Sequence, residues 1–294
     1  MVNLKICVTG GSGFIGKSVV KSLISANYEV TVVDIIEPED KNIDFKKIDL
    51  TNLEKTEEGL KGFDVIYHMA GGTLVSTMKN PIVSLDSTLM GTANVLSASI
   101  KNNIEKIIYA SSASVYNGFP EEKLVNETMI SHPFNTELFG GYKILGEKLI
   151  FEFTKKSNLD YVILRIGPVF GSDKRCSSII NDFISFALNK QTFEIWGDGK
   201  RKLQSTDVED VANACTLSIN SSKEIFNIIS PERYSILQIA EMLKEKYELS
   251  YTFDKTKPKG QIYPHISAEK SKNMLDCDYT LFSDSLENMI KILK

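Results

Sequence analysis

Cysteine, histidine, tryptophan and proline are all scarce in this 294-residue chain, at 4, 3, 1 and 8 residues. Cys7, Cys176, Cys215 and Cys277 lie far apart with no C-x-x-C spacing, which argues against a disulfide framework or a zinc site and for reduced thiols packed in a core. No metal is expected. The chain also lacks an apolar run of the roughly 20 residues that a membrane-spanning helix needs. No stripe of basic residues offsets the net charge of -4, so neither nucleic acid nor a membrane is expected as a partner. The opening "MVNLKICVTG" enters a strand directly, without a basic leader or a long apolar stretch, so the expected location is the cytoplasm. On that expectation the glycosylation triplets at Asn126 and Asn220 are chance matches. Internal repeats and low-complexity tracts are absent too.

What is present is an alternation. Short β-branched runs, "LKICVTG", "EVTVVD", "FDVIYHMAG", "EKIIYASS", "LDYVILRIG" and "EIFNIIS", are separated by amphipathic stretches. Ile15, Val19 and Leu23, four apart, give the first of these an apolar stripe. The pattern predicts an α/β protein with a doubly wound parallel sheet of Rossmann type. Two stretches break the rhythm. Residues 117–138 form a long polar connection rich in turn formers, of the kind that is often functional. From 171 onward "GSDKRCSS", "WGDGKRKLQST" and "KTKPKGQIYPH" read as loops of a smaller C-terminal substrate lobe. The expected division is residues 1–170 plus about 203–230 for the nucleotide-binding domain, and about 171–202 plus 231–294 for the lobe.

"VTGGSGFIG" follows the first strand and opens the first helix. Gly11, Gly13 and Gly16 satisfy G-x-G-x-x-G, in which small residues allow a tight turn and a close approach to a pyrophosphate facing the helix N-terminus. Asp34 closes the second strand 18 residues after Gly16, where a carboxylate can accept from a ribose hydroxyl. No Arg or Lys follows it in "VVDIIEPED", so the preferred cofactor is NAD rather than NADP.

"TGGSGFIG", "DL" at Asp49, "HMAG" from His68, "GTANVL" from Gly91, "SSASVY" from Ser111, "LRIGPVFG" from Leu164 and "VEDVANA" from Val208 occur in an order that resembles the extended short-chain dehydrogenase/reductase family. The likeness is to its NAD-dependent sugar-nucleotide epimerases and dehydratases, and it runs over about the whole chain. It implies that Gly10, Gly11, Gly13, Phe14, Ile15 and Gly16 cradle NAD, that Asp49 and Leu50 lie near the adenine, and that Ala70 and Gly71 lie beside the cofactor. Asn94 would be a supporting helix residue, and the chain would form a homodimer through helices near 88–102 and 139–155. His68 reads more simply as a buried strand-end histidine than as a catalytic group.

The same resemblance implies a catalytic set of Ser or Thr, Tyr and Lys, the last two at i and i+4 on one helix face, where the lysine lowers the phenol pKa so that it can act as acid/base. Ser112 and Lys143 match the first and last, with Lys143 also holding the cofactor ribose. The tyrosine position holds Phe139, which has the ring without the oxygen. Tyr142 is the poorer candidate to stand in, because a residue next to Lys143 points about 100° away around the helix and the pair does not reproduce the i, i+4 geometry. Two readings follow: an active enzyme carrying a deliberate Tyr-to-Phe change, which is preferred because Ser112 and Lys143 are retained, or a natural NAD-binding member that has lost or reorganised the redox step.

A nucleotide-activated sugar is the expected substrate, and a non-nucleotide carbonyl compound the alternative. Gly72, Ser112, Ser114, Arg175 and Arg201 are its candidate contacts. Two positions depart from the family pattern. Leu203 stands where many members carry an arginine after "GDG", and His265 lies near the place of a second one; neither offers the planar fork that suits phosphate.

Overall fold

The computed structural model describes residues 4–258, 260 and 262–294; Lys259 and Gln261, in the last of the predicted loops, fall outside the described residues. All six expected strands form, at Lys5–Thr9 (β1), Glu29–Asp34 (β2), Val65–His68 (β4), Lys106–Ser112 (β5), Asp160–Ile166 (β6) and Glu224–Ile228 (β7), and a seventh, Asp44–Lys47 (β3), joins them. They make one parallel sheet in the order β7-β6-β5-β4-β1-β2-β3. Strand β3 carries no β-branched run because "DFKK" lies on the sheet edge, with three of its four residues exposed. Interior strands read differently: β4 is buried at every position, as a strand covered on both faces should be.

Helix α1 (Phe14–Ser25) starts at Gly13 and buries Gly16, Val19, Val20 and Leu23. It ends where Asn27 takes φ 66°, the left-handed conformation that Asn tolerates after a helix. One long helical segment runs from Pro81 to Lys101, with a π turn at Asp86–Met90 before its last part, α2 (Gly91–Lys101). Such turns are often found at functional sites. Helix α3 (Leu138–Thr154) follows the long connection, which is pinned midway by a short ladder of Leu124–Val125 with His265–Ile266. Helix α4 (Val208–Leu217) packs against α1 on the opposite face.

A second apolar core lies in the C-terminal part. Helices Ile179–Leu188, Ile236–Tyr247 and Phe282–Leu293 bury Phe183, Ile239, Leu286 and their neighbours together. Side chains of this size stabilise the fold by about 1.5–3 kcal/mol each when fully buried. Helix Glu269–Leu275 packs instead on the sheet half, with Leu275 and Cys277 in the core beneath β7. No helix among the described residues is long and apolar enough to cross a membrane.

Candidate active site

The floor of the site is the turn between β1 and α1. Gly10 takes φ +70°, and a β-carbon there would lie 2.6 Å from the backbone nitrogen of Ala70. A β-carbon on Gly16 would lie 2.1 Å from the Gly10 carbonyl, so α1 can pack against the turn only with glycine there. Gly13 starts the helix with no side chain bonded to its first N–H groups, and the first turn carries no acidic residue. Those free donors and the positive end of the helix suit a pyrophosphate. Asp34, at the end of β2, accepts from the N–H of Ser12 and of Ile36, both at 3.1 Å, which fixes its carboxylate at the rim of the turn. The residues therefore fit a dinucleotide.

The other walls follow from local structure. Asp49 caps its own turn by accepting from the N–H and hydroxyl of Thr51 at 3.0 and 2.8 Å, and the carbonyl of buried Leu50 accepts from Asn94 at 2.8 Å. Ala70 and Gly71 leave the end of β4, and the N–H of Gly72 donates to the Thr88 hydroxyl of the π turn at 2.8 Å. Beneath them His68 is fully buried between Thr9 and Thr92, at 2.7 and 3.0 Å. Because Thr92 donates to the Thr88 carbonyl, its oxygen accepts from His68 Nε2, which leaves Nδ1 to accept from Thr9. Burial, and then the charge of Lys143, push this imidazole down to about 3, so it is a neutral support.

Lys143 and Phe139 share one face of α3, as their spacing predicted. The Lys143 ammonium is buried, donates to the Ala110 carbonyl of β5 at 2.7 Å, and lies 5.8 Å from the centre of the Phe139 ring and 5.2 Å from that of Tyr109. Burial lowers its pKa to about 8, against the pull of Glu147. Ser112 closes the same strand two residues on, and its oxygen accepts from the N–H of buried Ser114 at 3.1 Å. Tyr142 is turned away and buried, its phenol donating to the Pro81 carbonyl at 3.2 Å.

Several supporting groups gave no signal in the sequence. Glu147, one turn after Lys143, forms a buried two-pronged pair with Arg165 of β6 at 2.9 and 2.8 Å and accepts from Ser111 at 2.6 Å. Arg165 also donates to the Tyr116 hydroxyl at 2.8 Å and the Met129 carbonyl at 2.9 Å, tying down the long connection. Glu147 and Arg165 are 18 residues apart in sequence, so only the packed helix and strand bring them together.

The two arginines expected to meet the substrate are separated. Arg201 lies in the C-terminal part beside Gly260, while Arg175 lies over the glycine turn, donating to the Ser12 carbonyl. Leu203 is buried in the second core and does not replace the missing arginine. His265, half-buried, is held below its usual pKa by burial and by the charge of Arg233. Arg233 itself is nearly buried, donates to the Tyr263 carbonyl at 3.3 Å, and leaves its Nε without a partner among the described residues.

Residues 6–229 match the model of the NAD dependent epimerase/dehydratase family. A putative UDP-glucose 4-epimerase of Methanocaldococcus jannaschii is 31% identical over 283 residues, covering 92% of each chain. Among solved structures, a UDP-glucose 4-epimerase of Thermotoga maritima with UDP-glucose superposes with a TM-score of 0.89 at 25% identity, covering 99% of this chain and 98% of that one. A tyrosine-to-phenylalanine variant of a Bacillus cereus UDP-glucuronic acid 4-epimerase, solved with UDP-4-deoxy-4-fluoro-glucuronic acid and NAD, superposes at 0.84 with 27% identity, covering 99% and 100%. The cofactor of this chain is NAD, and the glycine turn with Asp34 is where the residues fit it. The protein belongs to the NAD-dependent epimerase/dehydratase family.

Proposed function

We propose that this chain binds a nucleotide-activated sugar beside NAD in a site built for hydride transfer at a sugar carbon, with the acid/base oxygen missing at Phe139. The observation that carries this is Lys143, buried one turn from Phe139 with its ammonium 5.8 Å from the ring. A buried ammonium costs stability, and its use is to hold a ribose and to stabilise a phenolate. NAD supplies the hydride acceptor. Ser112 orients the reacting sugar oxygen, and a tyrosine at position 139 would take and return its proton. Phe139 cannot, so the chain binds both ligands and turns over slowly. The Bacillus cereus variant, which combines a phenylalanine for a tyrosine with both ligands bound, supports this. Arg201 and Arg233 supply the charge for the diphosphate in place of the arginine that Leu203 displaces.

Phe139→Tyr tests the reading. Turnover of a nucleotide sugar that binds should rise by roughly 10²–10⁴-fold, the usual contribution of a positioned acid/base. If turnover stays flat on every nucleotide sugar that binds, the chain is an NAD-binding protein without redox activity. The position of Tyr142, committed to Pro81, favours that second reading only if no other group takes the proton.

The same reading includes a homodimer. Met78, Ile82, Val83 and Met90 on the helical segments before α2, and Leu138 and Leu145 on α3, are large apolar residues left exposed in the single chain. Sedimentation equilibrium should give twice the 32.9 kDa chain mass, and a single-chain mass at micromolar concentration would count against the pairing.

A further inference from the structure

The loop after Phe170 runs over the cofactor turn. A β-carbon on Gly171 would come within 3.2 Å of the Phe14 ring at the start of α1. Four residues on, Arg175 donates from Nη1 to the Ser12 carbonyl, while its Nε and Nη2 reach both oxygens of Asp173 at 2.9 and 2.6 Å. Asp173 also meets Lys17 of α1 at 3.6 Å, and Lys17 pairs with Glu39 beyond β2 at 2.5 Å. Alternating charges thus run from the loop, over the start of α1, to the segment after β2. Asp34 and Glu39 are close enough to act on the charge of Arg175.

In this arrangement the Arg175 fork is oriented by Asp173 while its Nη1 donates to a neutral carbonyl, and its side chain is 41% exposed. The neighbouring helix end has free N–H groups and no acidic residue in its first turn. A guanidinium gains far more from a phosphate oxygen than from a carbonyl, through charge and fork geometry together. We infer that Arg175 is a residue of the cofactor site, closing from the second half of the chain over the ADP portion of NAD and exchanging the Ser12 carbonyl for the diphosphate. The glycine turn supplies the floor and Arg175 the cover. The site is then complete only once the segment after Phe170 has folded onto α1.

Calorimetric titrations of the wild type, Arg175→Ala and Arg175→Lys with NAD, ADP, adenosine and UDP-glucose test this. Arg175→Ala should bind NAD and ADP about 10-fold more weakly, the scale of one partly exposed charge-assisted contact, with adenosine and UDP-glucose unchanged. Arg175→Lys should lose about 3-fold, since a point charge replaces the fork. Equal thermal midpoints without ligand check that the exposed substitution leaves the fold intact. The inference is overturned if Arg175→Ala binds NAD within about 2-fold of the wild type, below the value of such a contact. It is equally overturned if adenosine weakens as much as ADP, or if the loss falls on UDP-glucose instead of NAD.

Discussion

Lys143 and Arg165 are two cations buried a few residues from each other's partners, and they are treated in opposite ways. Arg165 is gripped on both prongs by Glu147 and on its other side by Tyr116 and two loop carbonyls, so its charge is permanent and fully answered. Lys143 has one carbonyl and two ring faces around its ammonium, and its pKa falls to about 8. The difference separates framework from chemistry. A paired arginine fixes where α3 sits on β5 and β6, whereas the lysine is left short of counter-charge, which is what its proposed role in the site needs.

Breaking the framework should have the largest effect. Arg165→Ala leaves the buried Glu147 carboxylate without its two-pronged partner, and urea denaturation should show a loss of about 3–5 kcal/mol. The double change Arg165→Met with Glu147→Leu should recover most of it, because it removes both charges. A loss under about 1 kcal/mol for the single change would mean the pair does not hold α3 in place.

The lysine predicts a smaller effect with a pH signature. Its folded pKa is depressed, so between about 8 and the unfolded value near 10.4 the unfolded chain holds more protons, and this group's contribution to stability rises with pH. Below that window the cost of a buried charge is fully present. Lys143→Met should therefore stabilise the chain at pH 7 by on the order of 2–3 kcal/mol, and the gain should fade by about pH 10. A gain independent of pH would show that the ammonium is not desolvated in the way the packing around Ala110 implies.

The features legible in the sequence are those whose causes are local. "GGSGFIG" identifies the turn because Gly16 answers the Gly10 carbonyl a few residues away and Gly10 takes a positive φ, although the Ala70 backbone that crowds Gly10 is distant in sequence, and Phe139 and Lys143 declare a shared face through helical spacing alone. Six strands show as β-branched runs, while the exposed "DFKK" of β3 does not. Arg175 and Arg201 look alike in sequence, as cations in polar loops, and nothing local says that one lies over the cofactor turn and the other beside Gly260. Arg233, in "SPERYS", gave no sign of the burial that makes it a candidate for phosphate.

The sequence by itself determined the parallel α/β architecture, the dinucleotide turn, the family and the shared helix face of Phe139 and Lys143, because periodicity, glycine spacing and i, i+4 geometry act over short stretches of chain. Tertiary structure alone decided which charges meet: Glu147 with Arg165, Lys143 with Ala110, and Arg175 with Ser12. The physical reason is that Coulomb and hydrogen-bond energies depend on distance and burial in space, and loops set those between residues that the sequence keeps far apart.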